Sequence, residues 1–382
     1  MALFLAFKEI WRNKGRFLLF SLVIALITTL VLFIAGLAEG LGTANREYIE
    51  KLDGELIVFQ ENVKLSTLTS RLDRETLRRV ERVPGVEKAG PVGLSNAELV
   101  FLDGQEDTSI SLIGIEPGKP GGAPALKGRG LKGNRSNEVV IDGKLSKEYN
   151  LDLGETIRIK SIQGTEEEFF DMEIVGITDG RQFFFQPAVF MSLEIWDKVR
   201  PQSVVSGGSL AYNIIVVRLT DPSNQENVAA EIQNQVSDVE VVDLVTAYEA
   251  TPGYSAQQST LNTQKGFTLL IGILVIGGFF QIQTLQKIPN IGMLKAIGTG
   301  NVTVGLSVIS QIIIVTVLGV ALGTITTLLL SLGLPSQVPI LFTREAATAA
   351  ILSLVIIGPI GGLVSVWMAL KAEPLMALGL NS

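Results

Sequence analysis

The sequence predicts a membrane α-helical protein with four transmembrane helices and an extracytoplasmic α+β domain inserted between helices 1 and 2. Three observations support this fold class: four long apolar runs, one long polar interval after the first of them, and an uneven distribution of charge. The 382 residues are 47% hydrophobic and only 18% charged. This composition is too apolar for a soluble chain of this length and too polar for one wholly in lipid.

The apolar runs divide the chain, because a transmembrane helix needs about 20 apolar residues. We predict a basic amphipathic N-terminus (1–16), transmembrane helix 1 with the start of a stalk (17–44), the extracytoplasmic domain with its stalk (45–262), transmembrane helix 2 (266–285), a cytoplasmic amphipathic segment (286–301), transmembrane helices 3 (302–332) and 4 (346–370), and a cytoplasmic tail (371–382). The first run is longer than the apolar core of a signal peptide, and no small-residue cleavage site follows it, which favours a membrane anchor.

The charge distribution predicts the orientation. Residues 45–262 contain 22 Lys and Arg against 34 Asp and Glu, whereas the rest of the chain is net basic. If the spans alternate, one side of the membrane carries these basic residues next to the spans: Lys8, Arg12, Lys14, Arg16, Lys287, Lys295 and Lys371. The positive-inside rule makes that side the cytoplasm. We therefore expect a multi-pass cell-membrane protein with both termini in the cytoplasm and the acidic domain outside.

Within the polar interval, β-branched runs alternate with helical patterns and turn residues. The predicted strands are Glu55–Gln60, Val139–Ile141, Thr156–Ile159, Asp171–Ile177 and Ala211–Leu219, and the predicted helices are Asp73–Val83 and Asn224–Val236. The polar segments Asn45–Leu52 and Tyr254–Asn262 contain no helix breakers. We expect them to extend transmembrane helices 1 and 2 outward as a stalk.

Several classes of chemistry are excluded by composition. The chain has no histidine and no cysteine, which rules out disulfides, Ser-His-Asp or Cys-His catalysis and the usual zinc sites. Gly128–Gly133 matches G-x-G-x-x-G, but neither a predicted strand nor a predicted helix flanks it, so we interpret it as a loop. A Walker A motif is also missing. We therefore expect a protein that is not an enzyme by itself, with no catalytic residue, no intrinsic cofactor and no nucleic-acid partner.

The cytoplasmic segment Gln283–Gly300 reads QTLQKIPNIGMLKAIGTG. Ile288, Ile291, Leu294 and Ile297 recur at helical spacing, which is typical of an amphipathic helix. Two interpretations fit this pattern. The helix either lies in the headgroup region of the membrane, or it is a coupling helix that docks into a groove of a separate ATPase subunit.

A resemblance favours the second interpretation. Ile291–Gly298 (IGMLKAIG) resembles the I-G-x-L-[KR]-A-[ILV]-G signature of MacB/FtsX-type permeases, and Glu373–Gly379 resembles the ending of that family. In the outer segment, Asn137–Leu145, Leu153–Ile159 and Glu173–Gly180 repeat the family's strand order. The resemblance implies an ABC transporter permease whose ATP is bound and hydrolysed on a partner chain, present in two copies. It also implies that these residues couple to the ATPase: Lys287, Ile288, Ile291, Gly292, Leu294, Lys295 and Gly298.

A narrower resemblance concerns the cargo. Val31–Gly42 and Tyr254–Asn262, with the cytoplasmic loop, resemble HrtB-type heme-efflux permeases and their DevC-like relatives. Without His or Cys, heme iron could be ligated only by Tyr, Met or a carboxylate. Glu39 is the one acid at the end of the first span, and Gly36 and Gly40 around it form a G-x-x-x-G pair that permits close helix approach. Two copies of Glu39 in a homodimer would then clasp heme as axial metal ligands.

These observations leave alternatives open. Glu39 could instead lie outside the hydrocarbon and be solvated, and Tyr48, further out, is a weaker second ligand candidate. Our interpretation is a homodimeric permease with two ATPase subunits that extrudes a hydrophobic small molecule, heme first, laterally from the lipid bilayer. The alternatives are a DevC/MacB-like exporter of lipid, peptide or lipoprotein, with a membrane-fusion adaptor, and FtsX-like mechanotransmission to a cell-wall hydrolase.

Overall fold

The structure is a computed structural model that describes residues 2–101, 105–133, 136–202, 211–251, 253–334 and 338–371. It divides into two compact units, which we call the helical unit (1–40 and 258–382) and the inserted domain (41–257). The predicted tail 371–382 and the segment Glu373–Gly379 lie outside the described residues beyond Lys371.

Five helices account for the described part of the helical unit: α1 (Ala2–Arg12), α2 (Lys14–Glu50), α8 (Tyr254–Ala296), α9 (Asn301–Leu332) and α10 (Arg344–Lys371). Four of them, α2, α8, α9 and α10, are long and apolar enough to cross a membrane. The four predicted spans are thus present. Two of these helices continue into the polar segments predicted as a stalk, since α2 extends to Glu50 and α8 begins at Tyr254.

Small residues allow these helices to pack closely. In α9, Gly319 and Gly323 lie against Ile24 and Thr28 of α2, and a Cβ added to either glycine would meet those side chains at 2.6 Å or less. Helix α10 meets α9 at a third glycine, Gly358, which lies against Thr316 in the same way. In lipid, such close approach supplies the van der Waals contact that holds helices together.

The inserted domain is built on one ten-stranded mixed sheet. Its strands are β1 (Leu56–Gln60), β2 (Val86–Val100), β3 (Thr108–Ile115), β4 (Ala125–Gly128), β5 (Glu138–Asp142), β6 (Thr156–Gln163), β7 (Glu166–Thr178), β8 (Ala188–Ser192), β9 (Ile214–Leu219) and β10 (Val239–Asp243). Across the sheet the order is β10-β1-β9-β2-β3-β8-β5-β7-β4, and β6 pairs with β2 and β7.

Five short helices accompany the sheet: α3 (Arg74–Val80), α4 (Gly143–Tyr149), α5 (Leu193–Val199), α6 (Gln225–Gln235) and α7 (Leu244–Glu249). Asp73, Asp142 and Asp243 cap three of them, each carboxylate accepting a hydrogen bond from a backbone N–H of the first turn. All seven elements predicted in this region are present, with ends that shift by a few residues. The elements that were not predicted are β2, β3, β4, β8, β10, α4, α5 and α7.

Both faces of the sheet are covered by apolar residues. One core contains Leu77, Trp196 and Ile232 from the helices, and the other contains Tyr48 and Ile49 from the end of α2 together with Leu52 just after it. Because both faces are buried, the central strands read as nearly continuous apolar runs rather than as alternating patterns. The end of α2 is therefore part of the inserted domain's core.

Candidate functional site

The family-like motif forms the end of a long helix and not a helix of its own. Helix α8 runs without interruption to Ala296 and contains Pro289 in its interior, so residues 266–285 and 286–296 belong to one helix. The division of this helix into a span and a cytoplasmic segment stays a prediction. Gly298, at φ +101°, terminates the helix. Its N–H donates to the carbonyl of Lys295 (3.0 Å), and the N–H of Thr299 donates to that of Leu294 (3.0 Å). This is a Schellman C-cap, which requires the left-handed conformation that glycine adopts without strain.

The predicted coupling residues divide into an inward and an outward group. Ile291 packs with Val304 of α9 and Ala369 of α10, and Ile288 lies against them. Gly292 is buried beside Ile291. One side of the motif is therefore packed between helices.

Of the outward group, Leu294 belongs to an exposed apolar tip at the turn between α8 and α9, whose other members were not among the predicted coupling residues. Met293 (52% exposed), Leu294 (40%), Ile297 (82%) and Val302 (74%) define this surface, which we call the α8–α9 tip. Exposed apolar patches on the surface mark interaction sites. Val302 was missed in the sequence because it follows the motif and begins the next apolar run.

A partly buried polar cluster joins three helices near the same end of the helical unit. We call it the α1 triad: Glu9 of α1, Lys287 of α8 and Gln311 of α9. Lys287 Nζ lies 2.5 Å from one Glu9 oxygen, and the Gln311 amide donates to the other at 2.7 Å. Lys287 Nζ also donates to Gln311 Oε1 at 3.2 Å. The triad docks α1 against the spans and leaves Phe4, Phe7 and Trp11 exposed, at 61–71%.

The α1 triad borders a cavity of about 620 Å³ between α1, α8 and α9. Lys8, Arg12 and Gln283 line it, together with apolar side chains that include Phe280, Val304 and Val308. Neither Gln283 nor Gln311 was selected from the sequence, although a polar glutamine inside an apolar span is a candidate for a functional position.

Glu39 lies in α2 near the connection between α9 and α10. It is half-buried and has an interaction partner. Seven-residue steps place it on the same helix face as Leu32 and Ala25, which are 3% and 4% exposed. Leu22 and Leu26, which are 53% and 62% exposed, lie on a neighbouring part of the helix surface, about 100° and 140° around the axis from Glu39.

Gly36 and Gly40 permit a close contact, but the contact is within the chain. The N–H of Leu341 donates to the Gly36 carbonyl at 3.0 Å. A Cβ at Gly40 would lie 1.7 Å from the Pro339 carbonyl oxygen, and one at Gly36 would lie 2.7 Å from Phe342. The expectation that this pair lets two first spans approach each other is therefore not supported, since the connection to α10 covers both glycines.

Tyr48 belongs to the core of the inserted domain. Its side chain is fully buried, its ring packs against Phe183 and Phe190, and its hydroxyl donates to the Gly121 carbonyl at 2.8 Å. A phenol in this position has its hydrogen bond satisfied and offers no surface to a ligand. The geometry gives Tyr48 a packing role.

Around Tyr48 lies a second polar cluster, which we call the domain cluster: Glu47, Lys51, Lys144, Asp179 and Arg181. Glu47 is paired to Lys51 at 2.9 Å and to Lys144 at 3.3 Å. Lys51 also pairs with Asp179 at 3.3 Å, and Arg181 Nε donates to Asp179 at 2.9 Å. Each carboxylate of the cluster therefore has a cationic partner.

The electrostatics of this region follow from burial and pairing. Burial alone would raise the pKa of Asp179, but hydrogen bonding and attraction from Arg181 outweigh it and lower the pKa. Asp142, which is fully buried at the cap of α4, has a raised pKa because burial disfavours its charged form more than its backbone hydrogen bonds stabilise it. The carboxylates of the domain cluster are thus held in ion pairs or hydrogen bonds with its lysines and arginine.

The four spans, the domain inserted after the first, and the α8–α9 tip define a membrane permease. Residues 17–235 match the model of the MacB-like periplasmic core domain, and residues 266–374 match that of the FtsX-like permease C-terminal domain. The chain belongs to the MacB/FtsX family of ABC transporter permeases. In such transporters the permease is the transport component, and ATP is bound by a partner subunit.

Similar proteins cover nearly the whole chain. The proposed hemin transport system permease HrtB of Staphylococcus haemolyticus is 28% identical over 98% of this chain and 99% of its own. A relative of the same name from Staphylococcus epidermidis is 26% identical with the same coverage. Among solved structures, the extracellular domain of the Gram-positive ABC-type transporter YknZ is similar with a TM-score of 0.37 and 14% identity, over 50% of this chain and 100% of that one.

Proposed function

We propose that this chain is the permease of an ATP-driven exporter that works as a homodimer with two separate ATPase subunits and extrudes hemin from the membrane. The observation that carries the cargo is the full-length similarity to permeases whose names assign them to hemin transport. A relation over 98% of the chain extends to the spans as well as to the inserted domain.

The proposed orientation puts α1, the α8–α9 tip and the end of α10 in the cytoplasm. Lys8, Arg12, Lys287 and Lys295 lie on these elements, and the positive-inside rule assigns the side that carries them. The acidic inserted domain is then outside the cell membrane. Any adaptor protein would meet it there.

The α8–α9 tip is the proposed contact with the ATPase. Ile297 and Met293 are exposed apolar side chains at the end of a helix, and an apolar knob of this kind fits a groove on a partner. Ile291 and Gly292 anchor the same helix among α9 and α10. A force on the tip would therefore reach the spans through packed side chains.

Glu39 remains the proposed ligand for the heme iron. It is a half-buried carboxylate in a span, and the chain has no His or Cys to take that role. Because Gly36 and Gly40 are covered by residues 339–342, we propose that hemin reaches Glu39 beside that connection and not through a seam of paired glycines.

The test uses the permease co-reconstituted with its ATPase and titrated with hemin. We expect a shift of the Soret band and hemin-stimulated ATP turnover in the wild type, with both reduced in Glu39→Ala. Glu345→Ala is the matched control, because Glu345 is an exposed carboxylate in the first turn of α10. A Soret shift in Glu39→Ala that equals the shift of the wild type would reject Glu39 as the heme ligand. ATP turnover that responds to lipid or peptide but not to hemin would reject the cargo.

A further inference from the structure

The cavity beside the α1 triad has an excess of positive charge. Lys8 and Arg12 lie one helical turn apart on α1 and both line the cavity. Lys287 also lines it, but Glu9 neutralises that ammonium group. Among the described residues, no ion pair of Lys8 or Arg12 is found. Two cations are thus available to an anionic group.

The cavity also offers a buried hydrogen-bond acceptor without a donor. Gln283 is 3% exposed and lines the cavity, and its Oε1 has no hydrogen-bond partner among the described residues. A buried polar atom left without a partner is costly, so such an atom favours the binding of a water molecule, an ion or a ligand group that completes its hydrogen bonding. An occupant that supplies an O–H or N–H would satisfy it.

The remaining wall is partly apolar. Phe280, Val304 and Val308 face the same space as the polar groups. At about 620 Å³ the cavity is in the size range of sites for whole small molecules. A free phosphate ion would leave the apolar wall uncovered.

We propose that this cavity binds the headgroup of an anionic phospholipid that carries a free hydroxyl, of the phosphatidylglycerol class. The phosphate would lie against Lys8 and Arg12, a headgroup hydroxyl would donate to Gln283 Oε1, and the glycerol backbone would cover Phe280. Basic pockets between transmembrane helices are known to take anionic lipid headgroups. The inference is independent of the cargo and goes beyond the proposed function.

The test uses the full chain in nanodiscs of phosphatidylcholine with a minor fraction of phosphatidylglycerol, followed by extraction and native mass spectrometry. We expect the wild type to retain phosphatidylglycerol in preference to phosphatidylcholine. Lys8→Gln/Arg12→Gln should bind it about tenfold more weakly, since two phosphate-facing cations are removed. The matched control Lys14→Gln/Lys371→Gln removes the same charge from exposed positions that do not line the cavity. This control should retain phosphatidylglycerol as the wild type does.

A second variant keeps the test informative if the double variant is unstable. Asn290 lines the cavity but is exposed, so Asn290→Asp adds a negative charge at a tolerant position. We expect it to reduce phosphatidylglycerol retention. Equal retention by the Lys8/Arg12 variant, the Asn290 variant and the control would overturn the proposal.

Two further arms identify the source of the phosphate. Protection against thermal unfolding by inorganic phosphate in pure phosphatidylcholine, without retention of phosphatidylglycerol, would overturn the lipid assignment in favour of a free anion. Retention of hemin in place of lipid, if it is lost in the Lys8/Arg12 variant, would overturn the lipid assignment and make the cavity a hemin site. Because lipid retention needs neither ATPase nor hemin, loss of hemin-stimulated ATP turnover leaves this result unaffected.

Discussion

The domain cluster and the α1 triad are both built around a glutamate paired with lysine, but their surroundings differ. In the domain cluster, Glu47 has two lysine partners, and the backbone N–H of Gln182 also donates to it. In the α1 triad, Glu9 is paired with Lys287 and accepts a hydrogen bond from Gln311. The adjacent cavity, however, is lined by the Gln283 side chain, whose oxygen has no hydrogen-bond partner among the described residues.

This difference separates a structural network from a site that takes a ligand. A saturated network fixes one arrangement of its elements, and here it fixes the end of α2 in the inserted domain. A network that borders a cavity with spare donors and an orphaned acceptor has capacity for another molecule. Charge alone therefore does not indicate function; what matters is whether every polar group already has a partner.

The largest effect on stability is expected in the domain cluster. Glu47→Ala should lower the free energy of unfolding by about 2 kcal/mol, because a carboxylate with several hydrogen bonds is removed while Lys51 and Lys144 remain half-exposed. Thermal unfolding of the full chain measures it. The exposed Glu87→Ala should change little, and an equal loss in both variants would contradict a special role for Glu47.

A smaller loss is expected in the α1 triad. Lys287→Met should destabilise the docking of α1 by about 1 kcal/mol, since Glu9 and Lys287 are both partly exposed. Limited proteolysis within α1 reports this docking. Combining it with Glu9→Gln should recover part of the loss, because the unpaired carboxylate is removed; additive losses would show that the pair is not coupled.

The pH dependence of the domain cluster follows from Asp179. A carboxyl whose pKa is lower in the folded protein contributes stability that is present above the unfolded pKa, about 4, and is lost as the pH falls through the folded value. Hydrogen exchange near residues 179–186 should therefore accelerate on acidification. In Asp179→Asn this acceleration should be weaker; an identical profile would indicate that another group titrates.

The smallest effect on stability is expected at the α8–α9 tip. Ile297→Asp should alter the free energy of unfolding by less than about 0.5 kcal/mol, because the side chain is 82% exposed. Co-purification with the ATPase should nevertheless fall. A variant that unfolds, or one that still binds the ATPase normally, would contradict the assignment of the tip as a docking surface.

The sequence predicted the features that are local and missed those that depend on distant partners. Apolar runs located all four spans, and the motif Ile291–Gly298 identified the family. The pairing of Glu9 with Lys287 joins residues far apart in the chain, so no local pattern indicates it. Gly36 and Gly40 correctly signalled a close approach, but a G-x-x-x-G pair does not specify which backbone approaches.

The end of α8 also shows what the sequence pattern predicts and what it does not. The spacing of Ile288, Ile291 and Leu294 predicted a helix, and a helix is present. Pro289 lies inside this helix, where the loss of one backbone hydrogen bond is tolerated because the neighbouring Ile288 and Ile291 are packed. Only Gly298, with its left-handed conformation, ends the helix.

The unbroken course of α2 has a mechanical consequence. Its 37 residues form a rod of roughly 55 Å at 1.5 Å per residue, nearly twice the thickness of the hydrocarbon core. One end follows the docked α1, and the other is clamped by Glu47 and Tyr48. Helix α8, by contrast, begins just after a turn in which Gly253 has the left-handed value φ +84°. Because α2 is a single helix, a rotation about its own axis would turn Glu47 and Tyr48 together with the apolar span.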